Sequence, residues 1–132
     1  MRSLFLLLAI VGVVFGQIPF DQIQNGDFTY YNDAGNGACG PYINAATQNL
    51  VAVSHEWYNT QWYGNPNDDP ICRNVCVKVT YNGNSITVPV KDKCPSCNKP
   101  HLDLSQTAFQ QLAPLSVGHV YGAQWSFVRG PC

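Results

Sequence analysis

The sequence predicts a small, mainly β barrel that disulfide bonds hold together. Short runs in which apolar and polar residues alternate recur along the chain, separated by turn-rich segments. Only one short stretch carries the start and stop signals of a helix. The six cysteines are an even number in a chain of 132 residues, which is typical of a small disulfide-stabilised domain. This combination favours one β domain with a single core.

Residues 1–16, MRSLFLLLAIVGVVFG, have the features of a secretory signal peptide. Arg2 precedes an apolar run over 4–15, and Gly16 closes it. The run is too short to span a bilayer comfortably, so an uncleaved membrane anchor is the weaker alternative. We therefore expect a signal peptide over 1–16, one domain over 17–132 and a secreted, extracellular protein.

Charge and composition limit the possible partners. Without Arg2, 7 − 1 = 6 Lys and Arg face eight Asp and Glu, which gives a formal charge of 6 − 8 = −2. No basic patch is visible, so we expect no nucleic-acid partner. Only 11% of the chain is charged, whereas uncharged polar residues are abundant. This composition favours a neutral, hydroxyl-rich partner, and we expect a monomer that does not bind membranes.

The first elements alternate with loops. Residues 26–31, GDFTYY, predict a strand, and the Gly- and Asn-rich segment 32–42 predicts a loop. Residues 50–54, LVAVS, predict a second, apolar strand. The stretch 55–72 holds too many Asn, Asp and Pro residues to be regular.

The clearest local structure is a hairpin. Apolar and polar residues alternate over 75–80 and again over 86–91, and Asn82-Gly83 lies between the two runs. This residue pair tolerates the positive φ angles of a two-residue hairpin turn. Pro89 lacks an N–H group, so we expect it at an edge or an irregularity.

One helix is predicted over 106–113. Ser105 is a good N-cap, Leu104 and Phe109 are placed as a hydrophobic staple, and Pro114 ends the helix. A final strand, VYGAQWSFV, leads to Cys132.

The cysteine pattern is interpreted as structural. Cys72-x3-Cys76 and Cys94-x2-Cys97 come close to zinc-ribbon spacing, but zinc would leave two cysteines without a role. A redox CxxC normally begins a helix, and Pro100 after CPSC opposes one. Three disulfides with fifteen possible connectivities remain.

The order of motifs resembles the double-psi β-barrel of RlpA-like and expansin-like proteins. The matching segments are TYYNDAGNGACG, VAVSHEWY, PICRNVCVKVTYNGNSITVPVKDKCPSC and LDLSQTAFQQLAP. The resemblance is closest to single-domain forms, the loosenins and their barwin-like relatives. It implies a six-stranded double-psi barrel with one or two short helices. It also implies three disulfide pairs: Cys39–Cys72, Cys76–Cys132 and Cys94–Cys97.

The same resemblance implies a groove with an acid. Asp103 matches the residue that protonates the leaving group in family forty-five glycoside hydrolases. Thr29 matches the groove threonine that hydrogen-bonds this acid, and Asp92 matches a second groove aspartate. Asp103 could instead cap the helix, but Ser105 already explains the cap. The tyrosine that bacterial expansins carry two residues after the second aspartate is replaced here by Cys94.

Asp33 is the only candidate for a catalytic base. In the hydrolases the base follows the strand threonine in a Thr-x-Tyr-x-Asp arrangement, and residues 29–33, TYYND, reproduce that spacing. Hydrolysis needs such a second carboxylate. However, Asp33 leads into AGNGACG, as in non-hydrolytic relatives, and an Asp in this context is typical of a turn. The pattern therefore favours a protein without net hydrolytic activity.

Aromatic residues are candidate sugar platforms, because their faces stack on sugar rings. Tyr31 is expected to line the groove, and Trp62 and Tyr63, flanked by polar residues and glycine, are expected to be exposed. Trp57 and Tyr58 directly follow an apolar strand and are expected in the core.

The three histidines, His55, His101 and His119, show no metal-ligand spacing. The sequence predicts ordinary polar roles for them, although His101 lies close to Asp103. We accordingly expect neither a metal nor a cofactor.

These observations predict a secreted, expansin- or loosenin-like protein that binds a neutral cell-wall polysaccharide and loosens it without net hydrolysis. Cellulose, β-glucan and chitin are candidate ligands. Asp103 would act as the acid, with Thr29, Asp92, Tyr31 and Trp62 binding the glycan. One alternative is a family forty-five-like endoglucanase or lytic transglycosylase. Another is a barwin-like defence protein or cysteine-protease inhibitor.

Overall fold

The computed structural model describes residues 17–60 and 65–132. The predicted signal peptide, Trp62 and Tyr63 lie outside the described residues. The strands are β1 (Gln24–Tyr31), β2 (Ala34–Asn36), β3 (Tyr42–Asn44), β4 (Val51–Ser54), β5 (Val75–Tyr81), β6 (Asn84–Cys94), β7 (His101–Ser105) and β8 (Val120–Arg129). The α-helix is α1 (Gln106–Gln110), and short 3₁₀ helices cover His55–Trp57, Pro66–Asp68, Pro70–Cys72 and Leu115–Val117. In the described part of the chain, no helix has the length and apolar character needed to cross a bilayer.

Six strands close into a barrel in the order β1-β7-β4-β6-β5-β8, and β8 pairs back onto β1. The pairs β1/β7 and β4/β6 are parallel, and the other neighbours are antiparallel. The short strands β2 and β3 form a separate two-stranded sheet. This confirms the predicted six-stranded barrel. Its two parallel pairs are neighbours, because β7 of one pair is hydrogen-bonded to β4 of the other.

The hairpin β5–β6 forms as predicted. Asn82 and Gly83 have φ angles of 49° and 79°, the positive values that a two-residue turn of this kind requires. The three valines of β5 are buried in the core, while its alternate polar residues face solvent. Pro89 lies just outside the β4–β6 ladder, whose first pair is Val51 with Val90.

Two differences from the sequence prediction involve strands. β7, HLDLS, is a strand because β1 and β4 pair with it on both sides, and its Leu102 and Leu104 are fully buried. The predicted loop over 32–42 contains β2 and the first residue of β3. β7 depends on partners distant in sequence, whereas β2 and β3 pair with each other within a Gly- and Asn-rich segment whose composition is typical of a loop.

The helix is shorter than predicted. α1 ends at Gln110, and a turn carries the chain to Pro114. Ser105 caps the helix as expected, because its Oγ accepts a hydrogen bond from the Ala108 N–H at 3.3 Å. Phe109 is fully buried and packs against the ring of Phe28, with 5.3 Å between ring centroids.

The structure contains the three disulfides that the family resemblance implies: Cys39–Cys72, Cys76–Cys132 and Cys94–Cys97. The first ties the loop after β2 to the 3₁₀ turn before β5. The second ties β5 to the last residue of the chain. The third closes the turn that follows β6.

Candidate functional site

Strand register places four side chains in one row across the barrel. The parallel pairing of β1 with β7 sets Thr29 beside Asp103. Ala52 on β4 is paired with Asp103 on one side and with Asp92 of β6 on the other. Paired residues in neighbouring strands point to the same face of a sheet, so Thr29, Asp103, Ala52 and Asp92 share one face. Ala52 is a groove residue that the sequence did not single out, and its small side chain lies between the two carboxylates.

Asp103 has the environment of a weak acid. Thr29 Oγ1 donates a hydrogen bond to its Oδ1 at 3.1 Å. Burial raises the pKa of Asp103 above its usual range. The hydrogen bond from Thr29 and the charge of a protonated His101 lower this pKa, and the nearby carboxylates raise it further. The carboxyl group thus keeps its proton to a higher pH than an exposed aspartate does.

Asp92 organises the wall of the groove. Its Oδ2 accepts a hydrogen bond from the Tyr31 hydroxyl at 2.8 Å, and its Oδ1 accepts from the N–H groups of Ala38 and Lys93 at 3.0 and 2.9 Å. Burial and the Asp92 charge raise the pKa of Tyr31 well above its usual value, so this phenol stays a hydrogen-bond donor. Asp92 therefore fixes both Tyr31 and the loop that carries Ala38.

The short disulfide is part of the same wall. Cys94 and Cys97 are nearly buried and pack with Ala52, and Tyr31 packs against this cluster. The disulfide thus lies beside the Tyr31 side chain.

Asp33 faces the groove as well. It is exposed, directly precedes β2, and lines a surface depression together with Tyr31, Asp92 and the β2–β3 hairpin. Its charge contributes to the raised pKa values of Asp103 and Tyr31. The site thus holds the second carboxylate that hydrolysis needs, and a role for Asp33 as a base stays a prediction.

The model of a protein family described as "Lytic transglycolase", a double-psi β-barrel family, matches residues 23–122. The chain belongs to the RlpA-like double-psi β-barrel family.

Two kinds of relative in this family are similar to the chain. The papain inhibitor of Streptomyces mobaraensis is 53% identical over 118 residues, which cover 89% of this chain and 80% of that protein. The solved structure of the Streptomyces papain inhibitor superimposes with a TM-score of 0.81 at 54% identity, covering 86% of this chain and all of that one. A mutant of the Clavibacter michiganensis expansin, in complex with cellohexaose, gives a TM-score of 0.65 at 26% identity. The match covers 84% of this chain and 52% of that expansin, so the chain spans about half its length.

Of the two aromatic residues that follow β4 in this double-psi barrel, Tyr58 lies in the core as predicted, whereas Trp57 lies at its rim. Tyr58 is 1% exposed, and Trp57 is half-buried with its ring edge-to-face against Trp125 and Phe127. These side chains belong to the core and its rim.

The histidines revise the sequence interpretation. His101 Nε2 lies 2.8 Å from Thr29 Oγ1, so Thr29 bridges His101 and Asp103. His101 and His119 also meet the carboxylate of Asp27, at 3.0 and 2.6 Å. Asp27 and His119 are 92 residues apart in sequence, which hides the cluster from any spacing rule. The sequence indicated only the contact of His101 with the groove, because His101 and Asp103 are two residues apart and alternate residues of a strand share a face.

Proposed function

We propose that this double-psi barrel protein inhibits papain-like cysteine proteases. The observation that carries the proposal is the 53% identity to a papain inhibitor across 89% of the chain. An identity this high spans nearly the whole length of the chain and is not limited to a few groove motifs. The expected polysaccharide-loosening activity rests on groove motifs, on the low charge and on an expansin of only 26% identity, so inhibition comes first.

The scaffold suits an inhibitor. Three disulfides constrain the loops of a small barrel, and a preformed binding surface loses little conformational entropy when it docks. Such rigidity is typical of proteins that occupy a protease cleft without rearranging.

The β2–β3 hairpin is the best-placed docking element. Its Tyr42 side chain is 65% exposed. Gly37 N–H donates to the Pro41 carbonyl at 3.1 Å, and Cys39, which is disulfide-bonded, donates its N–H to the Lys91 carbonyl at 3.2 Å. An exposed tyrosine on a braced hairpin is the kind of residue that anchors protein interfaces.

Tyr121 provides a matched comparison. It is 69% exposed, but its ring stacks on His119 with 4.1 Å between centroids and an angle of 13°. One face of Tyr121 is therefore engaged within the protein, and we assign the anchor to Tyr42.

The protein is expected to inhibit papain stoichiometrically, and Tyr42→Ser is expected to raise the inhibition constant about 30-fold. This corresponds to the loss of roughly 2 kcal/mol at an interface hot spot. Tyr121→Ser should inhibit like the parent protein. The measurement is the residual hydrolysis of a fluorogenic peptide by papain, titrated with each variant, with thermal unfolding as the check on folding.

A parent protein that leaves papain fully active at micromolar concentration would end the proposal. If inhibition is lost in Tyr121→Ser and kept in Tyr42→Ser, the protease docks on the other face and the assignment of the hairpin is wrong.

Glycan binding in the groove is a second candidate function. The row of Thr29, Asp103 and Asp92 supplies hydrogen-bonding groups, and the half-buried Tyr31 supplies an aromatic side chain beside them. A similar expansin fold has been solved with cellohexaose, and the low charge of this chain suits a neutral polysaccharide. In this candidate function Asp103 hydrogen-bonds glycan oxygens.

Asp103→Asn is expected to reduce the fraction of protein bound to insoluble cellulose, β-glucan or chitin several-fold, since the substitution removes the carboxyl group from the row. Asp21→Asn, on an exposed residue before β1, is the matched control. Equal binding by the two variants would remove Asp103 from the site. Reducing ends assayed in the same supernatants test for cleavage. Their release by the parent, and loss in both Asp103→Asn and Asp33→Ala, would support the endoglucanase alternative.

A further inference from the structure

One cluster of side chains outside the groove combines the ligand types that bind transition metals. Asp27 Oδ2 lies 3.0 Å from His101 Nδ1 and 2.6 Å from His119 Nε2. One ligand atom from each of the three residues falls within 4.8 Å of the other two. We propose that Asp27, His101 and His119 form a Zn²⁺-binding site.

The fold brings the three residues together by distinct means. Asp27 and His101 are register partners in the parallel pair β1/β7. Asp27 also sits where the pairing of β1 with β8 shifts register, between Gly26 and Phe28. A bulge of this kind re-aims a side chain, and here it leaves Asp27 beside His119, the residue before β8.

The distances suit zinc. Two imidazole nitrogens and one carboxylate oxygen bind Zn²⁺ at about 2.0–2.2 Å, which places neighbouring tetrahedral ligand atoms roughly 3.3 Å apart. The two carboxylate–imidazole separations, 3.0 and 2.6 Å, are shorter than this value, so a small movement of the side chains away from one another completes the geometry. The three side chains are 17–36% exposed, which leaves a fourth position for water or a partner group.

The second ring nitrogen of each histidine, the one that would not bind the metal, also has a hydrogen-bond partner. His101 Nε2 meets the hydroxyl of Thr29 at 2.8 Å, and His119 Nδ1 meets the hydroxyl of Tyr121 at 3.3 Å. Metal-bound histidines characteristically place their second nitrogen against such a partner, which fixes ring orientation and tautomer. All six cysteines are in disulfides, so no thiolate competes for the ion.

Zinc bound at this cluster would affect the groove through the hydrogen bond between His101 and Thr29. With the ion on Nδ1, the neutral His101 ring carries its proton on Nε2 and donates it to Thr29 Oγ1. The Thr29 hydroxyl proton is then directed to Asp103 Oδ1, 3.1 Å away. Occupancy of the site thus fixes His101 Nε2 as a donor and reinforces the direction of the hydrogen bond that Asp103 already receives from Thr29.

Tag-free protein, treated with a chelator and then dialysed, is expected to bind one Zn²⁺ per chain in a calorimetric titration with zinc chloride. Magnesium chloride should give no binding, because Mg²⁺ prefers oxygen ligands. His119→Ala is expected to weaken zinc affinity about tenfold or more, since loss of a ligand costs at least as much as loss of its supporting partner. His55→Ala removes the third histidine, which is not part of the cluster, and should bind zinc like the parent.

A second readout separates ligation from folding. Zinc should shift the ring-nitrogen NMR signals of His101 Nδ1 and His119 Nε2, and raise the thermal unfolding midpoint of the parent by more than that of His119→Ala at the same zinc concentration. Absence of zinc binding up to millimolar concentration overturns the proposal. So does an equal loss of affinity in His119→Ala and His55→Ala. None of these measurements depends on protease inhibition or glycan binding.

Discussion

Replacing Cys76 and Cys132 with alanine is expected to lower the free energy of unfolding by about 4 kcal/mol. These cysteines are 56 residues apart, and the entropy that a crosslink removes from the unfolded chain grows with the length of the loop it closes. The same relation gives only about 2 kcal/mol for Cys94–Cys97, whose separation is 3 residues. Alanine avoids the cost of placing a serine hydroxyl at the buried position of Cys76.

The measurement is urea unfolding followed by circular dichroism, with Cys94→Ala/Cys97→Ala as the matched control. The control also removes two sulfurs, but from a short loop. A larger loss of stability in the control than in Cys76→Ala/Cys132→Ala would contradict the argument from loop length.

The two bridges therefore differ in what they do for the protein. The long bridge limits the unfolded chain and ties the terminal residue to β5. The short bridge closes a turn whose two cysteines pack with Ala52, beside Tyr31. It also shapes the groove wall, and the short loop that it closes gives it about half the stabilising effect of the long bridge.

The parts of the fold that sequence predicts best are those fixed by neighbouring residues. Asn82-Gly83 defines a hairpin turn by its own backbone preference, and Ser105 caps α1 through a residue three positions later. β7 escapes such reasoning because its strand character comes from β1 and β4 on either side.

The candidate sites follow the same division. The family resemblance placed Thr29 and Asp103 in one groove, and strand register sets them side by side. The cluster of Asp27 with His119 joins residues 92 positions apart, and only barrel closure brings them together. The likeness to a papain inhibitor covers 89% of the chain. The groove motifs and the low charge do not reveal this likeness, and they favoured a polysaccharide partner.

Trp125→Ala is expected to lower the free energy of unfolding by about 3–5 kcal/mol, the cost of deleting a large buried aromatic side chain. Trp125 is 2% exposed and packs edge-to-face against Trp57 and Phe127, with ring centroids 6.0 and 5.0 Å away. Its Nε1–H donates a hydrogen bond to the Pro100 carbonyl at 2.9 Å. Alanine would leave both a cavity and an unpaired carbonyl.

Trp125→Phe should separate these two costs. It keeps most of the apolar volume but leaves the Pro100 carbonyl without its donor, so a loss of about 1–3 kcal/mol is expected. Gln124→Ala, an exposed neighbour on β8, is the control and should change stability by less than about 0.5 kcal/mol. Urea unfolding of the three variants measures their free energies of unfolding, which are expected to fall in the order Gln124→Ala, Trp125→Phe, Trp125→Ala. A Trp125→Ala protein as stable as Gln124→Ala would refute this order.

The hydrogen bond from Trp125 lies next to two of the proposed zinc ligands, Asp27 and His101. Pro100 immediately precedes His101, and a Cβ atom on Gly26, the residue before Asp27, would collide with the Pro100 carbonyl. Because Gly26 has no Cβ atom, β1 can approach the Pro100 carbonyl, which accepts the hydrogen bond from the buried Trp125. Loss of the indole should therefore weaken zinc affinity in Trp125→Ala even under conditions where the barrel remains folded, since Asp27 and His101 both adjoin this contact.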